Sequence, residues 1–293
     1  MSRIQAVDLH HGGLEGAIAS YLILDPEPTL VDPGPATTLP TLLDALDEAG
    51  VAGELQHLCL THVHLDHAGA AGHLVERLPG LTVHVHEEGA RHLVDPERLV
   101  SSTRRTFGDE HDRLWGEVRP VPADRIRSWS PGRPGPWAGL RPFATPGHIG
   151  HHVSYLDGNS GTLLAGDAMG IVLAPEAPTH PPTPPPAVDL PAWYGTLERL
   201  AELGAERFGA AHFGLHDDPA GRARELGRAL HELEARVQAA MDAGNEDDAQ
   251  RYEEEVRAGL APWVGRERVD RYFDTFAAAT DWAGVRFHLE RRS

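Results

Sequence analysis

Between Cys59 and Leu74 the chain reads CLTHVHLDHAGAAGHL, an apolar run that gives way to four metal-capable side chains, His62, His64, Asp66 and His67, within six positions. Few folds can hold that pattern. If LQHLCLT is a strand, apolar on both faces as an interior strand is, Thr61 closes its C-terminal end, where open α/β sheets build ligand sites. The loop that follows sends His62 and His64 to one side while Asp66 and His67 reach another. Imidazole and carboxylate donors together suit zinc, or iron or manganese, better than calcium or magnesium. Four ligands from one loop leave sites half filled, so the remainder must come from elsewhere in the chain.

Three candidates lie at the ends of predicted strands: His148 in TPGHIGHH, Asp167 in LLAGDAMG and His212 in GAAHFG. Each has glycine nearby, which lets backbone approach a crowded site. Seven ligands divided between two metals, with one carboxylate bridging, make a two-metal site. Such ions sit roughly 3.5–4 Å apart and clamp an attacking hydroxide.

The surrounding pattern predicts an α/β chain. Two strands flank a Pro-containing turn in GAIASYLILDPEPTLVDPG. A helix in TTLPTLLDALDEAG, the strand LQHLCLT, a helix in AGAAGHLVERLPG and the strand LTVHVH follow, an alternation typical of α/β architecture. Residues 87–127 read as a polar, helical insertion, and PGRPGPWAG as a loop. LRPFATPGH, HHVSYLD and GTLLAGD look like three strands. The Pro-rich tract APEAPTHPPTPPPAVDLP is expected to wrap the surface as extended polyproline. A helix in AWYGTLERLAELG and a strand in ERFGAAH precede a boundary placed near residue 216. Beyond it the chain is helical, with Asp218 as N-cap, Pro219 at the first helical position, and a packed stripe of Leu226, Leu230, Leu233 and Val237.

Composition narrows the function classes. With 26 basic against 44 acidic residues the formal charge is −18, which repels phosphate backbones and weighs against generic nucleic-acid binding. A single cysteine, Cys59, makes no internal disulfide. No run approaches the roughly 18 apolar residues of a membrane span, and the start lacks a secretory pattern. These features point to the cytoplasm, with no membrane partner.

His-x-His-x-Asp-His after a strand, then Thr-Pro-Gly-His, Gly-Asp and a late Gly-x-x-His, with Asp32 in an early VDPG, resemble the metallo-β-lactamase-fold hydrolases over about residues 4 to 216. The resemblance implies a four-layer αβ/βα sandwich with the metals at one edge, a catalytic domain of residues 1–216, and a C-terminal helical extension, 217–293. It implies that His62, His64 and His148 bind the first metal, that Asp66, His67 and His212 bind the second, and that Asp167 bridges them. The metals would be two divalent ions, zinc foremost, with iron or manganese as alternatives. Asp167, where some secreted β-lactamases place Cys, points toward the glyoxalase II-like branch, although a glutathione-binding pattern of basic residues is absent near the C-terminus.

The expected activity is hydrolysis of an ester, thioester or lactone bond of a small molecule by a metal-bound hydroxide, with Asp66 also orienting or relaying its proton. Two alternatives stay open: a nuclease or phosphodiesterase whose basic tail segment GRERVDRYF grips RNA, and a non-catalytic metal-binding protein. A homo-oligomer is compatible with either. The insertion is expected to border the cleft, with Met169 and Ile171 facing the pocket. His84 and His86 share a strand face as ordinary residues, His151 is a pocket wall, and His152 matches a His or Ser common in such hydrolases. His10 and His11 are expected at the surface, although an N-terminal segment can reach the pocket. Trp115, Trp129 and Trp137 are expected to close a small core rather than line a groove, and Arg104 and Arg105 to lie on a solvated helix face.

Overall fold

Side chains alternate across a strand, and this alternation separates the cores of the fold. The computed structural model describes residues 3–133 and 139–292; Trp137, with the rest of residues 134–138 in the PGRPGPWAG tip, lies outside them. Six strands, β1 Ile4–Asp8, β2 Ala19–Ile23, β3 Thr29–Val31, β4 His57–Cys59, β5 Thr82–His86 and β6 Ile126–Trp129, form one sheet in chain order. Its first two pairings are antiparallel and its last three parallel. The second sheet contains β7 Leu140–Ala144, β8 Val153–Asp157, β9 Thr162–Gly166, β10 Arg207–Ala210 and β11 Gly214–Asp217, in the order β11-β10-β9-β8-β7.

Tyr21, Val31 and Cys59 on one inner face meet Val153, Tyr155 and Leu164 on the other. Hydroxyls tie the layers together: Tyr21 donates to the carbonyls of Ala210 and Gly214 at 2.6 and 2.8 Å, and Tyr155 to that of Leu60 at 2.7 Å. On the outer face of the first sheet, Leu22, Leu30, Leu58 and Val83 bury helices α1 (Leu39–Glu48), α2 (Leu65–Ala68) and α3 (Ala71–Arg77) through Leu42, Leu46 and Leu74. The insertion carries α4 (Glu87–Val94), α5 (Glu97–Phe107) and α6 (His111–Trp115). Outside the second sheet, Leu163 and Phe208 pack with α7 (Leu190–Glu202), α8 (Pro219–Asp242) and α11 (Ala278–Glu290), while α9 (Asp248–Val264) and α10 (Arg266–Phe273) complete the C-terminal layer. The result is the expected αβ/βα sandwich. Among the described residues, no helix is long and apolar enough to cross a membrane.

Several local expectations need correction. β1 carries little strand signal in the sequence because only Val7 of its five residues is buried, as befits an edge. The expected insertion extends to residue 127, but Ile126–Trp129 pairs with β5 and belongs to the sheet. The boundary near 216 falls inside β11, which closes a hairpin on β10. The Pro-rich tract is irregular as predicted, yet His180 to Thr183 are buried rather than superficial. Their polar groups find partners on α11: His180 Nε2 lies 2.8 Å from Asp281 Oδ2, and the Thr183 N–H donates to Oδ1 at 2.6 Å. Met169 and Ile171 pack into the two outer cores, among Trp193 and Leu226 and among Leu9 and Phe273 respectively, because apolar burial there outweighs exposure at a polar site.

Candidate metal centre

All seven predicted ligands converge where the two sheets' strand ends meet. His62, His64, His148 and Asp167 offer ligand atoms within 4.8 Å of one another, and Asp66, His67 and His212 do the same beside them. His62 Nε2 lies 2.9 Å from His64 Nδ1, which in turn lies 3.0 Å from His148 Nε2. Nitrogens on one tetrahedral zinc, with bonds of about 2.0–2.1 Å, stand about 3.3 Å apart, so this triad has the right spacing. Asp167 faces both groups. Its Oδ2 is 3.2 Å from His148 Nε2 and 3.9 Å from His62 Nε2, while Oδ1 is 3.4 Å from His67 Nε2 and 3.7 Å from His212 Nε2. Asp66 Oδ2 stands 3.5 Å from His67 Nε2 and 3.3 Å from His212 Nε2.

A second layer of contacts fixes which nitrogen faces inward. His67 Nδ1 donates to Asp32 Oδ2 at 2.9 Å. The Thr61 hydroxyl donates to the same oxygen at 2.6 Å, so it can accept from His62 Nδ1, 3.1 Å away. Asp32 therefore orients two imidazoles at once, and its other oxygen accepts the Thr61 N–H at 2.8 Å. His148 Nδ1 donates to the Pro182 carbonyl at 2.8 Å and His212 Nδ1 to that of Ala17 at 3.1 Å. Each of these four rings thus keeps Nε2 free for the centre, the arrangement in which a partner on one ring nitrogen sets the tautomer for ligation by the other. His152 Nε2 accepts the Asp167 N–H at 3.2 Å, which leaves its Nδ1 to donate to Thr145 Oγ1 at 2.7 Å.

Glycine is required at two of these turns. Gly147 has φ +150° and a Cβ there would come within 2.3 Å of Trp193; Gly166 has φ +54° and would meet His152 Nε2 at 2.7 Å.

The donor atoms fit a metal. His67 Nε2 and Asp167 Oδ1 are buried and, 3.4 Å from each other, make no well-aligned hydrogen bond, a costly state that a cation relieves. Electrostatics agree. Burial, reinforced by His67 and the neighbouring histidines, keeps His62 well below the usual imidazole range, and burial with His148 pulls His64 down to about 3. Burial alone would lower His67 as well, but Asp167, Asp66 and Asp32 outweigh it and raise it. Burial would raise Asp66 and Asp167, yet His67 above all holds both below the carboxylate range.

The structure also places groups that the sequence did not assign to the centre. His10 is exposed, but His11 is buried and stacks on Trp115, with ring centroids 5.3 Å apart and planes at 9°. Burial pulls it down to about 4, and Asp66 and His212 are among the groups whose charge it feels. Tyr272 and Phe276 lie against His212, at 6.0 and 4.9 Å between centroids. The insertion reaches this edge through Leu114 and Trp115, which pack on Leu65 beside Asp66. Trp129 instead joins the core between the sheets. His84 pairs with His57 at 3.0 Å, and His86 caps α4 by accepting from the Glu88 N–H. Arg104 pairs with Asp112 on an exposed surface.

Residues 13–212 match the sequence profile of the Metallo-beta-lactamase superfamily. The metallo-beta-lactamase fold-containing protein ST1585 of Sulfurisphaera tokodaii is 28% identical over 172 residues, 55% of this chain and 62% of that protein. A probable metallo-hydrolase of Methanocaldococcus jannaschii, MJ0888, is 26% identical over 152 residues, 51% of this chain and 66% of its own length. The chain therefore matches less than two thirds of either relative. The crystal structure of ST1585 superposes with a TM-score of 0.64 at 23% identity, covering 78% of this chain and 86% of that one. That of TTHA1429, a metallo-beta-lactamase family protein from Thermus thermophilus, superposes with a TM-score of 0.63 at 24% identity, covering 99% and 93%. The family binds divalent metals and consists mostly of metallo-hydrolases. Sequence profile, fold and ligand geometry agree, and the chain belongs to the metallo-β-lactamase superfamily.

Proposed function

We propose that this protein hydrolyses an ester, thioester or lactone bond of a small molecule with two divalent ions, zinc foremost. His62, His64 and His148 would hold one ion, Asp66, His67 and His212 the other, and Asp167 would bridge. One observation carries the reading: the two oxygens of Asp167 face two separate histidine groups, at 3.2 Å and 3.4 Å from the nearest nitrogens. When bound, such a pair of ions generates a nucleophile from water at neutral pH and polarises the bond under attack.

The protein's own residues set the geometry. Asp32, Thr61, Pro182 and Ala17 hold the four rings in register. Asp66 contacts His67 and His212 through Oδ2, and we assign its Oδ1 the task of relaying the proton released in the attack. A small substrate accords with the charge of −18 and with the tail arginines. Arg268 donates to the carbonyls of Gly16 and Leu173, Arg271 to that of Gly12, and Arg266 pairs with Asp270, so each of these side chains has an intramolecular partner, Arg266 and Arg271 at the exposed surface. The bridging Asp and the division of ligands into three and three support placing the chain in a glyoxalase II-like branch.

The test is a hydrolysis panel of thioesters, lactones, β-lactams and phosphodiesters on metal-quantified protein. Turnover of a thioester or lactone that disappears with the metal is expected. Turnover of phosphodiesters alone would replace this reading with the nuclease one.

A further inference from the structure

Besides His67 Nε2 and Asp167 Oδ1, four buried polar atoms without a partner in the protein belong to side chains gathered around Phe276, whose ring packs on His212. They are both ring nitrogens of His11, the Tyr272 hydroxyl and Trp115 Nε1. These side chains are 4%, 1% and 3% exposed. They come from the N-terminal segment, α10 and the insertion, so nothing local in the chain brings them together. Phe276 connects them: its ring lies 4.9 Å from His212, 5.0 Å from Tyr272, 6.1 Å from His11 and 6.2 Å from Trp115, centroid to centroid. Leaving a buried donor unsatisfied costs about 1–3 kcal/mol. Such groups clustered beside a reaction centre indicate a ligand that completes them.

We propose that His11 and Tyr272 are the substrate's hydrogen-bonding anchor, binding an oxygen of the acyl group presented to the Asp66–His67–His212 side of the centre. The proposal rests on the hydrolase reading above and names its substrate class more closely. Phenol, imidazole and indole each donate a hydrogen bond without a formal charge, which suits a carbonyl or carboxylate oxygen. A phosphoryl group calls for cationic partners; the sequence contains no lysine, and Arg113, which lies near enough to influence His11, is tied to Glu110 at 2.6 Å. Asp66 and His64 are the half-buried members of the centre, so a small molecule enters on their side. Trp115 and Phe276 then form the apolar wall against which its carbon portion rests.

The experiment uses the two-metal protein and its His11→Phe and Tyr272→Phe variants, with butyrate and inorganic phosphate as probes in titration calorimetry. Metal content and thermal melting are measured alongside. Each substitution should raise the butyrate Kd about tenfold, leave metal content and phosphate affinity unchanged, and leave the melting temperature unchanged or higher, because the removed polar atoms have no partner in the folded chain. Unchanged butyrate affinity would overturn the proposal and leave these groups to trapped water. It would equally be overturned by a wild type that binds no butyrate, by loss of phosphate binding in place of butyrate binding, or by a melting temperature that falls together with metal content. If the variants lose butyrate while the wild type hydrolyses no carbonyl compound, the anchor stands and the hydrolase reading fails.

Discussion

Asp32 contributes to the centre without offering it a ligand atom. Its carboxylate holds His67 directly and His62 through the Thr61 hydroxyl, so one side chain sets a tautomer in each ligand group. Asp32→Asn should therefore weaken metal binding by about 10- to 100-fold as read by competition with a chromophoric chelator, and an unchanged affinity would show that packing alone orients the rings. His148→Ala should abolish metal-dependent turnover while the protein still folds; retained activity would reduce TPGH to a turn. The seven candidate ligands were legible because their spacing within short motifs is itself the signal. The Asp32–Thr61–His62 relay and the burial of His11 were not, since each depends on contacts between segments whose side chains carry no periodic pattern. A polar residue in the turn HHGG reads as surface until the fold places Trp115 and Phe276 around it.

At the level of elements, α11 fixes the Pro-rich tract and, through it, a ligand. Asp281 accepts the Thr183 N–H and pairs with His180, while the neighbouring Pro182 carbonyl holds His148. One turn further along, a Cβ on Gly284 would come within 1.7 Å of the Thr183 carbonyl oxygen, so only glycine lets the helix approach. Asp281→Ala should cost about 1–3 kcal/mol, because it leaves the buried Thr183 N–H without its acceptor, and should weaken metal binding as well. Urea unfolding and chelator competition measure the two effects, and a stability loss with normal metal affinity would uncouple the helix from the centre. Interior strands and amphipathic helices were readable because burial imposes period on sequence. Edge strands such as β1 and β6 bury fewer residues and lose that mark, and a proline run is equally irregular whether it lies in solvent or under a helix.

For the whole molecule, metal-free stability should peak near pH 6.5. His11, His84 and His151 are pulled by burial down to about 4, 3 and 4. Below their unfolded pKa of roughly 6.5 the unfolded chain binds protons that the folded one refuses, so stability falls as pH drops through that window. His67, raised in the fold, acts in the opposite sense: its contribution is complete below about 6.5 and is lost as pH rises through its folded value. Denaturant titrations across pH would show this dome, and a flat profile would contradict it. The insertion packs on Leu65 and Phe276 through Trp115, so trimming the insertion should change the Michaelis constant or substrate preference more than metal content.

The two-ion centre itself is tested most directly by elemental analysis after reconstitution, with excess metal removed. The account predicts close to two transition-metal ions per chain, with one lost in His64→Ala and one in His212→Ala. A single ion in the wild type, or two retained in both variants, would contradict it.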